Sequence, residues 1–149
     1  MTDVDFGLYQ PYVKEVNLEL FRVNELTENF FNLRDLSQGI ARDLAEGVTT
    51  RIFPGDQAML SLVHLEPSRE SDVHSHPQEQ WGLILEGSGV RIQDGHEYPV
   101  TVGDFWRTPG GVSHAFRAGP DGVKVLDFFS PPREEYRAAG SGVFSEASR

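Results

Sequence analysis

From Gly47 onward, apolar and polar positions alternate in short runs, the period-two signature of half-buried strands. The runs are Thr49–Phe53, Ala58–Glu66, Gln80–Glu86, Gly89–Gln93, Glu97–Val102, Asp104–Thr108, Ser113–Ala118 and Val123–Phe129. Turn-forming clusters stand between them: Pro54-Gly55-Asp56, Glu86-Gly87-Ser88-Gly89, Gln93-Asp94-Gly95, Pro109-Gly110-Gly111 and Gly119-Pro120-Asp121-Gly122. Strands joined by tight turns, with no long helix between them, predict an all-β antiparallel sandwich or barrel over residues 47–132. Upstream, Leu33, Leu36, Ile40 and Leu44 have helix-like spacing interrupted by Gly39. Phe31–Leu44 therefore fits either a short helix or a loop crossing apolar ground. Met1–Glu19 shows no clear period, and residues 1–46 are expected to form an N-terminal arm that packs on the barrel or on a second subunit. Residues 133–149 read as a polar C-terminal tail, packed outside the barrel or frayed.

Composition narrows the chemistry. A chain of 149 residues suits one domain with its own core. With no cysteine there is no disulfide framework, thiolate metal site, zinc finger or iron–sulfur centre. A transition metal would have to be held by histidine, carboxylate, amide oxygen or water. The net charge of −10, with Lys14 and Lys124 the only lysines, speaks against nucleic acid and anionic membranes as partners. No basic-then-apolar leader and no membrane-length apolar run is visible, so the expectation is a cytoplasmic protein acting on a small molecule.

The residues that carry chemistry begin at His74-Ser75-His76-Pro77-Gln78-Glu79-Gln80. Histidines two apart on an extended strand share a face and could share one cation. Gln80, opening the next strand, offers an amide oxygen as third ligand, and strand parity favours it over Glu79. His114, after the Pro109-Gly110-Gly111 turn, can supply the fourth from a neighbouring strand. His64 sits mid-strand on the outer face and is held as a reserve ligand; His96 follows a hairpin turn and is expected to be exposed. Without a metal, the same histidines would be core or surface residues of a ligand-binding barrel.

The pattern His74-x-His76-x3-Gln80-x6-Gly87, followed by Gly103-x5-Pro109-x-Gly111-x2-His114, resembles the two signature motifs of the cupin superfamily. The second motif is matched at every defined position; the first departs at Gln80, where many members carry glutamate. The resemblance covers roughly Gly47 to Pro132. It implies an antiparallel jelly-roll barrel with an N-terminal arm and little helix, holding one divalent metal on His74, His76, Gln80 and His114. Four neutral ligands leave the ion's charge undiminished toward a carbonyl or enolate oxygen, with zinc the first expectation and Ni, Fe, Co or Cu also suited to imidazole.

A second stretch, Val125 to Arg133, resembles the closing strand of KdgF-like cupins, which open unsaturated uronate rings and carry an Asp-x-Phe-x3-Arg pattern near the metal. Asp127, Phe129 and Arg133 fall on that pattern. The resemblance implies a proton shuttle at Asp127 and a carboxylate clamp at Arg133, although the two would equally suit a structural ion pair. Aromatic residues cluster around the motifs, and Trp81, Phe105, Trp106, Phe116 and Phe129 are expected to line the pocket. A metal in an apolar aromatic cavity is similar to the polyketide cyclases of resistomycin-type antibiotic pathways. The leading expectation is thus a metal-dependent cyclase doing non-redox carbonyl and enolate chemistry by aldol closure of an aromatic polyketide. KdgF-like ring opening, a non-catalytic binding module and a metal dioxygenase are the alternatives. Exposed strand edges together with the arm point to a homodimer.

Overall fold

The computed structural model describes residues 29–142, and the expectations for Met1–Glu19 and for the last residues of the tail fall outside that range. Eight strands run in chain order: β1 (Ile40–Ala45), β2 (Val48–Pro54), β3 (Met59–Leu65), β4 (Glu79–Gln93), β5 (His96–Thr101), β6 (Phe105–Thr108), β7 (His114–Ser130) and β8 (Gly140–Ser141). They form one continuous sheet in the order β5-β4-β7-β3-β2-β1-β8, with β6 also paired to β4. Every pairing is antiparallel except β1 with β8. The sole helical element among the described residues is a 3-10 turn at Glu134–Tyr136. The architecture is all-β, as the strand pattern predicts, and it is the jelly roll that the cupin resemblance implies.

Alternation places the core. On β3, Met59, Ser61, Val63 and Leu65 are buried while His64 is exposed between Thr49 and Lys124. One apolar cluster gathers Val48, Val63, Leu65, Ile84, Phe116 and Val125; a second joins Ile52, Met59, Phe129 and Tyr136. Polar side chains collect where the two meet.

Three local readings of the sequence need correction. The clusters at 86–89 and 119–122 are not turns ending strands; they are irregularities inside two long strands, β4 and β7. The ladder between these strands shifts register at Ile84/Glu86 and again at Gly87/Gly89. Gly87, at φ 77°, lies so close to the partner strand that a Cβ there would be 2.1 Å from the Gly122 carbonyl oxygen. Only glycine permits so close an approach of the two strands at this point.

The helical option for Phe31–Leu44 gives way to turns followed by β1. Asn32, Asp35 and Ser37 bond locally: the Asn32 and Asp35 side chains accept from the Arg34 and Ser37 amides at 2.9 and 3.0 Å. Such Asx bonds compete with the helical ladder, and Gly39 at φ 74° ends the segment. Part of the expected arm is therefore barrel.

The tail also enters the fold. Arg133 and Tyr136 are almost fully buried, and β8 pairs with β1. Arg42 ties this end down by donating to the carbonyls of Ser141 at 2.9 Å and Gly142 at 3.1 Å. Two large side chains in a polar stretch are enough to anchor it.

Candidate metal centre

His74 and His76 lie not within a strand but in an extended segment before β4, fixed by main-chain bonds. His74 and His114 exchange amide-to-carbonyl bonds of 3.0 and 2.9 Å, and the Gly111 amide donates to the His76 carbonyl at 2.8 Å. This bridges the segment to the turn that opens β7. The consequence is convergence: one ring nitrogen from each of His74, His76 and His114 lies within 4.8 Å of the others.

The tautomers follow from the second nitrogen of each ring. Nδ1 of His74, His76 and His114 donates to the carbonyls of Asp72, Gln78 and Val112 at 2.8, 3.1 and 2.8 Å. A carbonyl can only accept, so Nδ1 carries the hydrogen and Nε2 presents a lone pair inward. Burial disfavours the charged imidazolium, pulling His74 and His76 down to about 4 and lowering His114 as well. All three are neutral, as metal ligands must be.

Gln80 is buried at the head of β4, with Oε1 3.0 Å from His76 Nε2. Its side chain also hydrogen-bonds to the Asp127 carboxyl, which requires the amide nitrogen as donor and turns Oε1 toward the histidines. Two acceptors, a deprotonated imidazole nitrogen and an amide oxygen, thus face each other. That contact is repulsive unless a cation lies between them, and the set of three imidazoles and one amide fits a divalent ion. Glu79 points the other way, accepting from Trp81 Nε1 at 2.8 Å and pairing with Arg107 at 3.5 Å.

Beside the ligands lies a cavity of about 50 Å³, room for a few waters. His74, Gln80, His114, Asp127 and Arg133 line it together with Trp106, Phe116, Phe129 and Tyr136. Burial pushes the Asp127 carboxyl up to about 6, against the lowering pull of Arg91, the Gln80 hydrogen bond and Arg133. Arg133 donates from Nε to Glu135 at 2.9 Å and lies 4.0 Å from the centroid of the Tyr136 ring.

Two expected pocket residues are elsewhere. Trp81 is 43% exposed and Phe105 69% exposed, because each neighbours an inward residue, Gln80 or Trp106, and period two turns it outward. His96 is exposed in its hairpin, its Nδ1 bonded to the Asp94 carbonyl at 2.9 Å.

Arg91 and Tyr136 are the site residues that sequence reasoning missed. Arg91 is 4% exposed and lines the same cavity. Four buried polar atoms of this one cavity have no hydrogen-bond partner: His114 Nε2, Asp127 Oδ1, Arg91 Nε and Trp106 Nε1. Two are acceptors and two are donors, the complement of a cation and an anion.

The jelly roll carries three convergent histidines, and its residues 61–129 match the family described as the cupin domain. Among curated proteins, the chain is 32% identical over 95 residues to the dimethylsulfoniopropionate lyase DddW of Ruegeria pomeroyi. That match spans 62% of this chain and 62% of the relative. Among solved structures, an RmlC-like cupin from Shewanella frigidimarina superposes with a TM-score of 0.65 at 26% identity, covering 74% of this chain and 96% of that one. KdgF from Halomonas sp. gives a TM-score of 0.64 at 22% identity over 73% and 98% of the two chains, a likeness of fold. Among the described residues, no helix is long and apolar enough to cross a membrane.

Proposed function

We propose that the chain is a metal-dependent enzyme that moves protons, without redox change, on a small carboxylate-bearing substrate able to form an enol. Opening of an unsaturated uronate ring is the reaction that its site supports best. What supports this reading is the meeting of Asp127, Phe129 and Arg133 with His74, Gln80 and His114 on one cavity. A divalent ion held by the three histidines and Gln80, zinc by our proposal, would supply a Lewis acid whose charge its neutral ligands leave intact.

The chain's own groups do the rest. In this ring opening the anomeric hydroxyl loses its proton and the bond from the anomeric carbon to the ring oxygen breaks. An aldehyde forms at one end; at the other, the ring oxygen leaves with the bonding pair as an enolate, which becomes a ketone by gaining that one proton on carbon. No atom or electron is lost, so a single group that accepts and returns a proton suffices. Asp127, raised to about 6, holds both protonation states near neutral pH and can serve in both directions. Gln80 holds that carboxyl in place, and the Arg133 charge on the cavity wall favours an anionic substrate.

The similarity to dimethylsulfoniopropionate lyase favours a second reading, elimination from a small carboxylate, which also needs a base beside an acidic C–H. Polyketide cyclisation gains less support: Trp81 and Phe105 turn away from the cavity, and two buried arginines, Arg91 and Arg133, occupy its wall. Incubating metal-loaded protein with 4,5-unsaturated galacturonate should remove the ultraviolet absorbance of the enol ether. Asp127→Asn should slow this by about 10²–10⁴-fold with metal content unchanged. Turnover of dimethylsulfoniopropionate with none of the uronate would replace the first reading by the second.

A further inference from the structure

Of the four unpartnered atoms in the cavity, two are acceptors, His114 Nε2 and Asp127 Oδ1, and two are donors, Arg91 Nε and Trp106 Nε1. Arg91 is held from its far end: Nη2 donates to Thr108 Oγ1 at 2.7 Å, and that hydroxyl donates to Gln93 Oε1 at 2.7 Å. Its guanidinium carbon lies 5.3 Å from the centroid of the Trp106 ring, which stacks on Phe116 at 5.8 Å. The guanidinium is thus fixed in place while Nε stays free to donate.

Arg91 and Trp106 are also the two residues that the metal cavity shares with a second, more open groove of about 420 Å³, whose other lining residues are Gln93, Tyr98, Pro99, Val100, Asp104 and Phe105. They form the wall between the two spaces. Arg133 cannot play the same part, since its Nε is committed to Glu135 and its face to Tyr136. Arg91, by contrast, feels the charge of Asp127 across the cavity but spends its hydrogen bonds on Thr108 and Gln93 through Nη2, none of them through Nε. A buried guanidinium Nε–H and an indole N–H, each without a hydrogen-bond partner at one wall, are costly unless an acceptor joins them.

We propose that Arg91 and Trp106 form the subsite for the substrate's carboxylate, with Nε–H and the indole N–H donating to it at the wall between the groove and the metal cavity. This rests on the reading that the substrate is a carboxylate. It makes Arg91 the specificity-determining residue for charge and Trp106 its partner.

D-Galacturonate, which bears the carboxylate but cannot react, and galactose, which lacks it, are the probes, with propionate as a minimal acid. Calorimetry on the protein as isolated and after chelation separates this subsite from direct binding to a metal. Galacturonate and propionate should bind in both states and galactose in neither. Arg91→Gln should weaken binding by about 10–100-fold, and Arg91→Lys, which keeps the charge but not the Nε donor, by a similar factor. Trp106→Phe should cost about 3–10-fold. In a Trp81→Phe background Trp106 is the sole tryptophan, and its emission should change on adding galacturonate. If Arg91→Gln fails to fold by circular dichroism, Arg91→Lys and Trp106→Phe carry the test.

Unchanged affinity in the folded Arg91 variants, equal binding of galactose, or unmoved Trp106 emission would overturn the subsite. Arg91-dependent binding of propionate by a protein that turns over no unsaturated uronate would instead sink the ring-opening reading and leave the subsite standing.

Discussion

Gly82 is a sensitive test of how the cavity is built. It lies on β4 two residues after Gln80, opposite Trp106 on β6 and Asp127 on β7. A Cβ placed there would sit 2.4 Å from Trp106 Cζ2 and 2.5 Å from Cε2. Carbon atoms rest at about 3.5–4.0 Å, so in Gly82→Ala the indole must move by roughly an ångström. Its stacking against Phe116 and Arg91 resists that movement. Overpacking of this kind costs about 1–3 kcal/mol. With an unfolding entropy of about 2.1 cal/mol/K per residue over 149 residues, each degree is worth about 0.3 kcal/mol. The midpoint should therefore fall by roughly 3–10 °C. Differential scanning calorimetry reads that shift, and the emission of Trp106 in the Trp81→Phe background reports the displaced ring. Metal content should be retained, because neither Gly82 nor Trp106 supplies a ligand. An unchanged midpoint together with unchanged emission would refute the placement of Trp106 against Gly82.

Two further substitutions probe the site from other sides. Gln80→Glu removes the amide that donates to Asp127 and sets two carboxyl groups in contact. It should tighten metal binding in a chelator competition yet lower turnover by at least about tenfold, and no change in either would contradict the role given to Gln80. Tyr136→Ala empties a buried position beside Phe129 and under the Arg133 guanidinium, and should cost about 3–5 kcal/mol in urea unfolding, far more than Tyr136→Phe. A loss below about 1 kcal/mol would mean that this segment contributes little to the core.

Strands and histidines were legible in the sequence for a simple reason: both depend on spacing. Period two separates inside from outside on β3, and the two signature patterns need only residue types at fixed intervals. What escaped depended on partners. A pair of glycines separated by one or two residues, Gly87 and Gly89 or Gly119 and Gly122, looks alike in a hairpin turn and in a bulge, and only the facing strand decides, so β4 and β7 were each read as two strands. The same bulge hid Arg91. Counting by twos from Gln80 reaches residues 90 and 92, but the register shift between Ile84 and Gly89 inverts parity and turns Arg91 inward. The error at Trp81 and Phe105 was of another kind, because parity alone places both outside. Tyr136 and Arg133 show the limit of composition: a polar segment docks when two large side chains find room in the core.

The central claim is that His74, His76, His114 and Gln80 hold one divalent ion. Equilibrium dialysis against zinc, followed by elemental analysis, tests it most directly. The account predicts one ion per chain in the native protein and a loss of at least about 100-fold in affinity in His114→Ala and His76→Ala, with the fold intact. Substoichiometric binding, or binding that survives both substitutions, would contradict it.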